Sequence, residues 1–251
     1  MEYTIILLRH GQSEWNRDDL FCGWVDIPLS DKGKQQARDS ARLIAESGLD
    51  PKCVFTSKLT RSCQTANIIL EQLHREYLDV YRSWTLNERH YGTLQGRSKS
   101  DVLQELGKDR YMFIRRAFKG CPPLINPESQ YAAIEDSRYE GVPHESLPLG
   151  ESLEMVTERL LPYFESTIEG VLKEQKTVLI ATHGSIMRAL VKHLYGISEY
   201  DISEINIPNG IPMVIRLDES FKVIGDYTYL DPEVARVEAE KVARQGFKNH
   251  S

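Results

Sequence analysis

Three times in this chain a short apolar run rich in β-branched residues gives way to polar side chains and then to a helical pattern. No other feature limits the fold so tightly. "YTIILL" (Tyr3 to Leu8) leads to Arg9-His10-Gly11, and a helical spacing of Ala37, Ala41, Ile44 and Ala45 then runs from a cap at Ser30 or Asp31 to Gly48. "CVFTS" leads to "KLTRSCQTANIILEQL", and "KTVLIATHG" leads to "SIMRALVKHLYG". Alternating strands and helices predict a three-layer α/β/α fold with a mostly parallel central sheet and helices on both faces. Late in the chain, "IPMVIRL" and "FKVIGDYTYL" flank Asp218, Glu219 and Ser220, which predicts a hairpin completing one sheet edge.

In open α/β sheets ligands bind beyond the carboxyl ends of the strands. Three predicted strands end there in polar clusters: Arg9-His10-Gly11, Thr56-Ser57 with Arg61, and Thr182-His183-Gly184. Parallel strands bring these ends to one rim, so His10 and His183, far apart in sequence, are expected to face each other across one pocket. The glycine after each histidine permits a tight turn and the approach of a ligand to the next backbone N–H groups. Arg61 lies one helical turn beyond Ser57 and is expected to reach back beside Arg9. Two guanidiniums and two imidazoles at a helix N-terminus form an oxyanion site suited to a phosphate ester. Neighbouring cations oppose protonation of His10, which keeps its imidazole nucleophilic near neutral pH and makes it a candidate carrier of a phosphoryl group.

At 251 residues and 41% hydrophobic content, with no linker-like stretch or internal repeat, the chain reads as one domain spanning 1–251. Its loosely composed segment, about Cys121 to Leu149, reads as one long excursion. The formal charge, 31 − 37 = −6, argues against nucleic acid or an anionic membrane as the main partner. The apolar run at the N-terminus is too short for a signal peptide and no stretch reaches membrane-span length, so a cytoplasmic protein is expected. Cys22, Cys53, Cys63 and Cys121 have no metal-ligand spacing and are expected to be reduced, mostly packing thiols.

"LLRHGQSEWN", "TSKLTRSCQTA", "LNERHYGTLQG", "FIRRAF", "LPLGESL" and "THGSIMRALVKHL" together resemble the cofactor-dependent phosphoglycerate mutases of the histidine phosphatase superfamily, from about Thr4 to Gly246. The resemblance implies a phosphoglycerate mutase-like fold and a glycolytic and gluconeogenic activity, the interconversion of 2-phosphoglycerate and 3-phosphoglycerate. By it, His10 is the phosphorylated nucleophile, primed by 2,3-bisphosphoglycerate without a metal. Arg9, Arg61 and His183 hold the phosphoryl oxygens, and Glu88 shuttles a proton. Ser13, Asn16, Cys22, Gly23, Arg89, His90, Tyr91, Lys99, Arg115, Arg116, Gly184 and Ser185 match substrate contacts, with Lys99, Arg115 and Arg116 at a second anionic end.

A mutase must retain a doubly phosphorylated intermediate and keep water from phosphohistidine, and a segment of about 94–149 is expected to supply both a cationic patch and a lid. A tail of about 243–251 is expected to close the pocket further. The family resemblance also implies a homo-oligomer, a dimer or tetramer. Cys22, Gly150 and Ser185 depart from the family's usual Ser or Thr, Thr, and Asn. His74, His144, His193 and His250 match nothing catalytic, and Trp24 and Trp84 are expected in the core. The alternatives are a bisphosphoglycerate synthase or phosphatase of the same superfamily, and a non-catalytic protein that binds phosphorylated metabolites.

Overall fold

Residues 2–247 are described by the computed structural model. In chain order they form β1 (Tyr3–Arg9), the one-turn α1 (Glu14–Arg17), α2 (Asp31–Glu46), β2 (Val54–Thr56), α3 (Thr60–Gln72), β3 (Val80–Arg82), α4 (Lys99–Leu106), α5 (Lys108–Arg116), α6 (Leu153–Tyr163), α7 (Glu169–Gln175), β4 (Thr177–Thr182), α8 (Gly184–Tyr195), β5 (Met213–Leu217), β6 (Thr228–Tyr229) and α9 (Pro232–Ala243). Strand order is β3-β2-β4-β1-β5-β6. β1 to β4 run parallel, and β5 and β6 add an antiparallel edge.

Alternate residues of each central strand serve opposite faces, which is why these strands are apolar throughout. Ile5, Leu7, Phe55, Val178 and Ile180 pack with Leu153, Val156, Leu160, Phe164, Leu172 and the apolar side of α8. Ile6, Leu8, Val54, Leu179 and Ala181 pack with Ala41 and Ile44 of α2 and with Ala66, Ile69 and Leu70 of α3. The result is the expected three-layer α/β/α arrangement. Register puts Arg9 opposite Thr182 and Thr56 opposite Ala181, so His10 and His183 emerge at one level of the sheet with Ser57 one residue short of it.

The helix caps explain the local boundaries. The Ser30 hydroxyl accepts the Gly33 N–H at 3.1 Å to start α2, and Asp231 with Pro232 starts α9. At α3 the cap residue is Leu59, and the Asp26 carboxylate instead accepts the Thr60 N–H at 2.6 Å. α1, β3, α4, α5, α6, α7 and α9 lie outside the elements anticipated above. The expected edge hairpin forms, but β6 has only two residues, because beyond the single bridge of Leu217 with Val223 the intervening segment loops away.

Within 94–149, α4 and α5 stand toward the rim. The rest runs through short 3₁₀ turns and packs Ala133, Tyr139 and Leu147 on Trp24, with Trp84 against them. Trp24 is core as expected, whereas Trp84 is partly exposed. Of the four cysteines, Cys22 and Cys53 are buried and Cys63 is half-buried, while Cys121 is exposed where the chain leaves the turn after α5. His250 and the end of the expected tail lie outside the described residues.

Candidate active site

His10, the first residue beyond β1, is 2% exposed. Its Nδ1 lies 2.6 Å from the Gly11 carbonyl, an acceptor only, so Nδ1 carries the proton and Nε2 keeps its lone pair. Arg61 Nε donates to that Nε2 at 3.3 Å, while its two terminal nitrogens donate to Gly23 O at 2.7 Å and Val25 O at 3.0 Å. Arg9 donates to Ile207 O at 2.7 Å, and its buried Nε has no partner among the described residues. The rings of His10 and His183 meet edge to face at 4.9 Å. Burial holds His10 well below the ordinary histidine range, with Arg61 and Arg9 adding to it. The sequence reasoning named the cations; desolvation is the larger cause.

The cavity around them spans about 660 Å³, its open mouth included. Arg9, Arg61, Lys99, Arg115, Arg116 and Arg188 line it, and Glu88 is its acidic side chain. His10, Asn16, Cys22, Gly23, Tyr91, Gly184 and Ser185 complete most of the wall. Glu88 Oε1 accepts two backbone N–H groups, Arg89 at 2.8 Å and Ser185, in the first turn of α8, at 3.1 Å. Trp24 Nε1 donates to the Glu88 carbonyl at 2.5 Å, which fixes the backbone behind the carboxylate.

On the same cavity wall, Lys99 Nζ pairs with Asp19 at 2.9 Å, and Arg115 donates to the Gln245 carbonyl and side chain at 3.1 and 2.9 Å. Burial and the neighbouring Arg115 lower the Lys99 ammonium, and burial with Arg115 and Arg188 lowers the Arg116 guanidinium. Positive charge is crowded here beyond what nearby carboxylates offset, a condition that an anion relieves.

Ser13, Arg89, His90 and His183 lie behind this wall rather than on it. Ser13 caps α1 and sits 3.6 Å from the Cys22 thiol. Arg89 is spent on Ile114 O, Arg115 O and the Tyr91 hydroxyl, so it braces the turn that carries Arg115. The His90 backbone N–H donates to Glu151, which Arg159 pairs at 2.6 Å. Residues 117–149 contribute nothing to the cavity lining, whereas Val242 and Gln245 of the C-terminal segment do.

Arg188 was missed by the sequence reasoning. It follows Gly184 by one helical turn, as Arg61 follows Ser57, so the same spacing rule would have found it. Its guanidinium donates to Arg116 O at 2.6 Å and Ile202 O at 2.8 Å, and burial lowers it to about 10. Asn209, which donates to the His10 carbonyl at 2.8 Å, gave no local signal.

The two expected glycine roles divide. A Cβ at Gly184 would meet Arg9 Nε at 3.4 Å beside the cavity, in keeping with close ligand approach. At Gly11 it would strike Gly33 O at 2.2 Å, so that glycine serves the crossing of two backbones. Gly23 has φ +54° and would place a Cβ 2.1 Å from Gln95 Oε1, while its carbonyl seats Arg61. We expect Gly23→Ala to cost about 1–3 kcal/mol of stability and to lower turnover at least tenfold, on the order of a displaced charge-stabilising donor, by urea midpoint and steady-state assay.

The buried histidines also set a pH dependence. Burial pushes His90 from 6.5 down to about 4, and His10 and His183 move the same way. As pH falls below 6.5 the unfolded chain binds protons that the folded chain refuses, so stability is present above that value and lost on acidification. His90 alone should cost roughly 3 kcal/mol between pH 6.5 and 4. Urea midpoints across this window should fall, and His90→Gln should make the fall shallower by one proton.

Comparisons with known proteins bear on this geometry. Residues 5–135 and 125–228 match the Histidine phosphatase superfamily (branch 1). A phosphoglycerate mutase of Candida albicans is 48% identical over 244 residues, covering 97% of this chain and 98% of that protein. A 2,3-bisphosphoglycerate-dependent phosphoglycerate mutase of Leifsonia xyli subsp. xyli is 49% identical over 246 residues, covering 98% of each. Among solved structures, a phosphoglycerate mutase from Bacillus anthracis aligns with TM-score 0.66 at 18% identity over 98% of this chain and 97% of that one, a likeness of fold.

Proposed function

Because the chain belongs to the histidine phosphatase superfamily, we propose that it interconverts 2-phosphoglycerate and 3-phosphoglycerate through a phosphohistidine at His10 and a 2,3-bisphosphoglycerate intermediate. The observation that carries this reading is a neutral imidazole with its Nε2 lone pair directed at Arg61, in a cavity that Lys99, Arg115 and Arg116 also line. A one-phosphate hydrolase needs the first half of that arrangement. A ligand with anionic groups at both ends uses the whole of it. The curated relatives named as phosphoglycerate mutases, nearly half identical over almost all of this chain, support the same reading.

2,3-Bisphosphoglycerate supplies the phosphoryl group that primes His10. The residues present fit it: six cationic side chains line the cavity, and the Arg9 Nε is buried and unpaired. In transfer, His10 Nε2 forms the N–P bond as the P–O bond to the leaving oxygen breaks. Arg9 and Arg61 take up the charge that spreads over the phosphoryl oxygens, together with the N–H groups at the start of α8. Glu88 gives a proton to the departing glycerate oxygen and, in the other direction, takes one from the attacking hydroxyl. Lys99, Arg115 and Arg116 hold the second anionic end while the glycerate changes which oxygen it presents. Gln245 stands on Arg115 and tightens that side against water.

The test is incubation with labelled 2,3-bisphosphoglycerate followed by assay with each monophosphoglycerate. Acid-labile label on His10 and reversible turnover are expected. Label without turnover, with steady release of phosphate, would favour a phosphatase. One catalytic domain over 1–251, a cytoplasmic location and assembly as a dimer or tetramer belong to the same proposal. No helix among the described residues is long and apolar enough to cross a membrane. Light scattering tests the assembly, and a monomer at micromolar concentration would remove that part.

A further inference from the structure

We infer that Ser57 is a positioning residue that fixes the tautomer of His183 and so supplies the phosphoryl site with an N–H donor. This rests on the phosphohistidine reading, which supplies the acceptor for the His183 N–H, together with hydrogen-bond accounting around Ser57. Ser57 is the residue after β2 and is fully buried. Its Oγ lies 2.8 Å from His183 Nε2 and accepts the Leu59 N–H at 3.1 Å.

A hydroxyl has one proton and two lone pairs. Leu59 uses one lone pair, so two arrangements remain. If Nε2 carried the histidine proton it would take the second lone pair, and the hydroxyl proton would be left with no acceptor among the described residues, inside a fully buried position. If the hydroxyl instead donates to a bare Nε2, its own proton is paired and one lone pair stays idle, but the His183 proton then sits on Nδ1, which has no acceptor among the described residues. Without a ligand, either arrangement leaves one buried proton unmatched. A phosphoryl oxygen is an acceptor only, so with that group on His10 the second arrangement alone can pair both protons, and it puts the His183 proton on Nδ1.

His183 Nδ1 is buried and without a partner. With Nε2 committed to Ser57, Nδ1 is the ring nitrogen left for a group on His10, whose ring stands 4.9 Å away. Arg9 Nε is a second buried donor without a partner beside the same residue. Two idle donors around one imidazole suit an acceptor-rich phosphoryl group. In the opposite tautomer Nδ1 would present a lone pair to those oxygens and repel them.

The experiment uses the intact protein with ¹⁵N-labelled histidine. Two-bond ¹H–¹⁵N spectra at pH 7.5 without substrate read the tautomer, the His183 resonance being assigned with His183→Asn. Wild type should show a protonated Nδ1 and an unprotonated Nε2. Ser57→Ala should lose that pattern, and Ser57→Thr, which keeps the hydroxyl, should retain it. Formation of labelled phosphohistidine should slow about tenfold to a hundredfold in Ser57→Ala, in line with loss of one charge-stabilising donor, with KM changed less than about twofold, and Ser57→Thr should recover most of the rate. A protonated Nε2 in resting wild type overturns the inference, as does an unchanged tautomer in Ser57→Ala. Absence of label from wild-type protein would overturn the phosphohistidine reading instead, since the resonances decide the tautomer without any phosphoryl transfer.

Discussion

His10→Ala should lower turnover of both monophosphoglycerates by about 10⁴-fold or more and abolish acid-labile labelling. The nucleophile splits a difficult transfer into two easier ones, and removing it leaves only binding and charge stabilisation. The variant should still fold, because Arg61 keeps its bonds to Gly23 O and Val25 O and the phosphate clamp does not collapse. A thermal midpoint within a few degrees of wild type, measured beside the assay, separates lost chemistry from lost structure. Retention of a tenth of wild-type turnover would take His10 out of the reaction.

Glu88→Gln should lower kcat about 10³-fold, within the range for loss of a general acid–base, with KM within about threefold. The prediction depends on what the carboxylate already does at rest. Glu88 Oε1 accepts the N–H groups of Arg89 and Ser185, and a glutamine carbonyl can accept both, so the variant keeps the shape and loses only the exchangeable proton. Glu88→Ala would instead strip an acceptor from the first turn of α8 and should cost stability as well. A glutamine variant at wild-type kcat would assign the proton transfer to another group.

Much of this site was legible before any coordinates. A strand that must be apolar on both faces announces itself by composition, and the polar residues that end it mark the rim. Arg61 followed from helical spacing, and the same spacing locates Arg188. Other residues were read from family resemblance alone and meet a different situation. Arg89 is surrounded by carbonyl oxygens and braces Arg115, while Ser13 caps α1 from behind the cavity wall. The long excursion looked like a lid, yet its cavity residues come from α4 and α5, and the remainder lies on Trp24. No local pattern distinguishes these outcomes, because each depends on which distant carbonyl, ring or carboxylate arrives next to the side chain.

The sequence by itself determined the three strand and helix units, their parallel stacking and the polar ends carrying Arg9, His10, Arg61 and His183. Those are consequences of periodicity, caps and chain connectivity, all of which are local or nearly so. The tertiary structure alone decided that His10 keeps Nε2 unprotonated, that burial outweighs cations in keeping it neutral, and that Gln245 comes back to seat Arg115. The reason is physical: protonation and side-chain direction follow from desolvation and from hydrogen-bond partners. Both are fixed only when residues far apart in the chain are packed together.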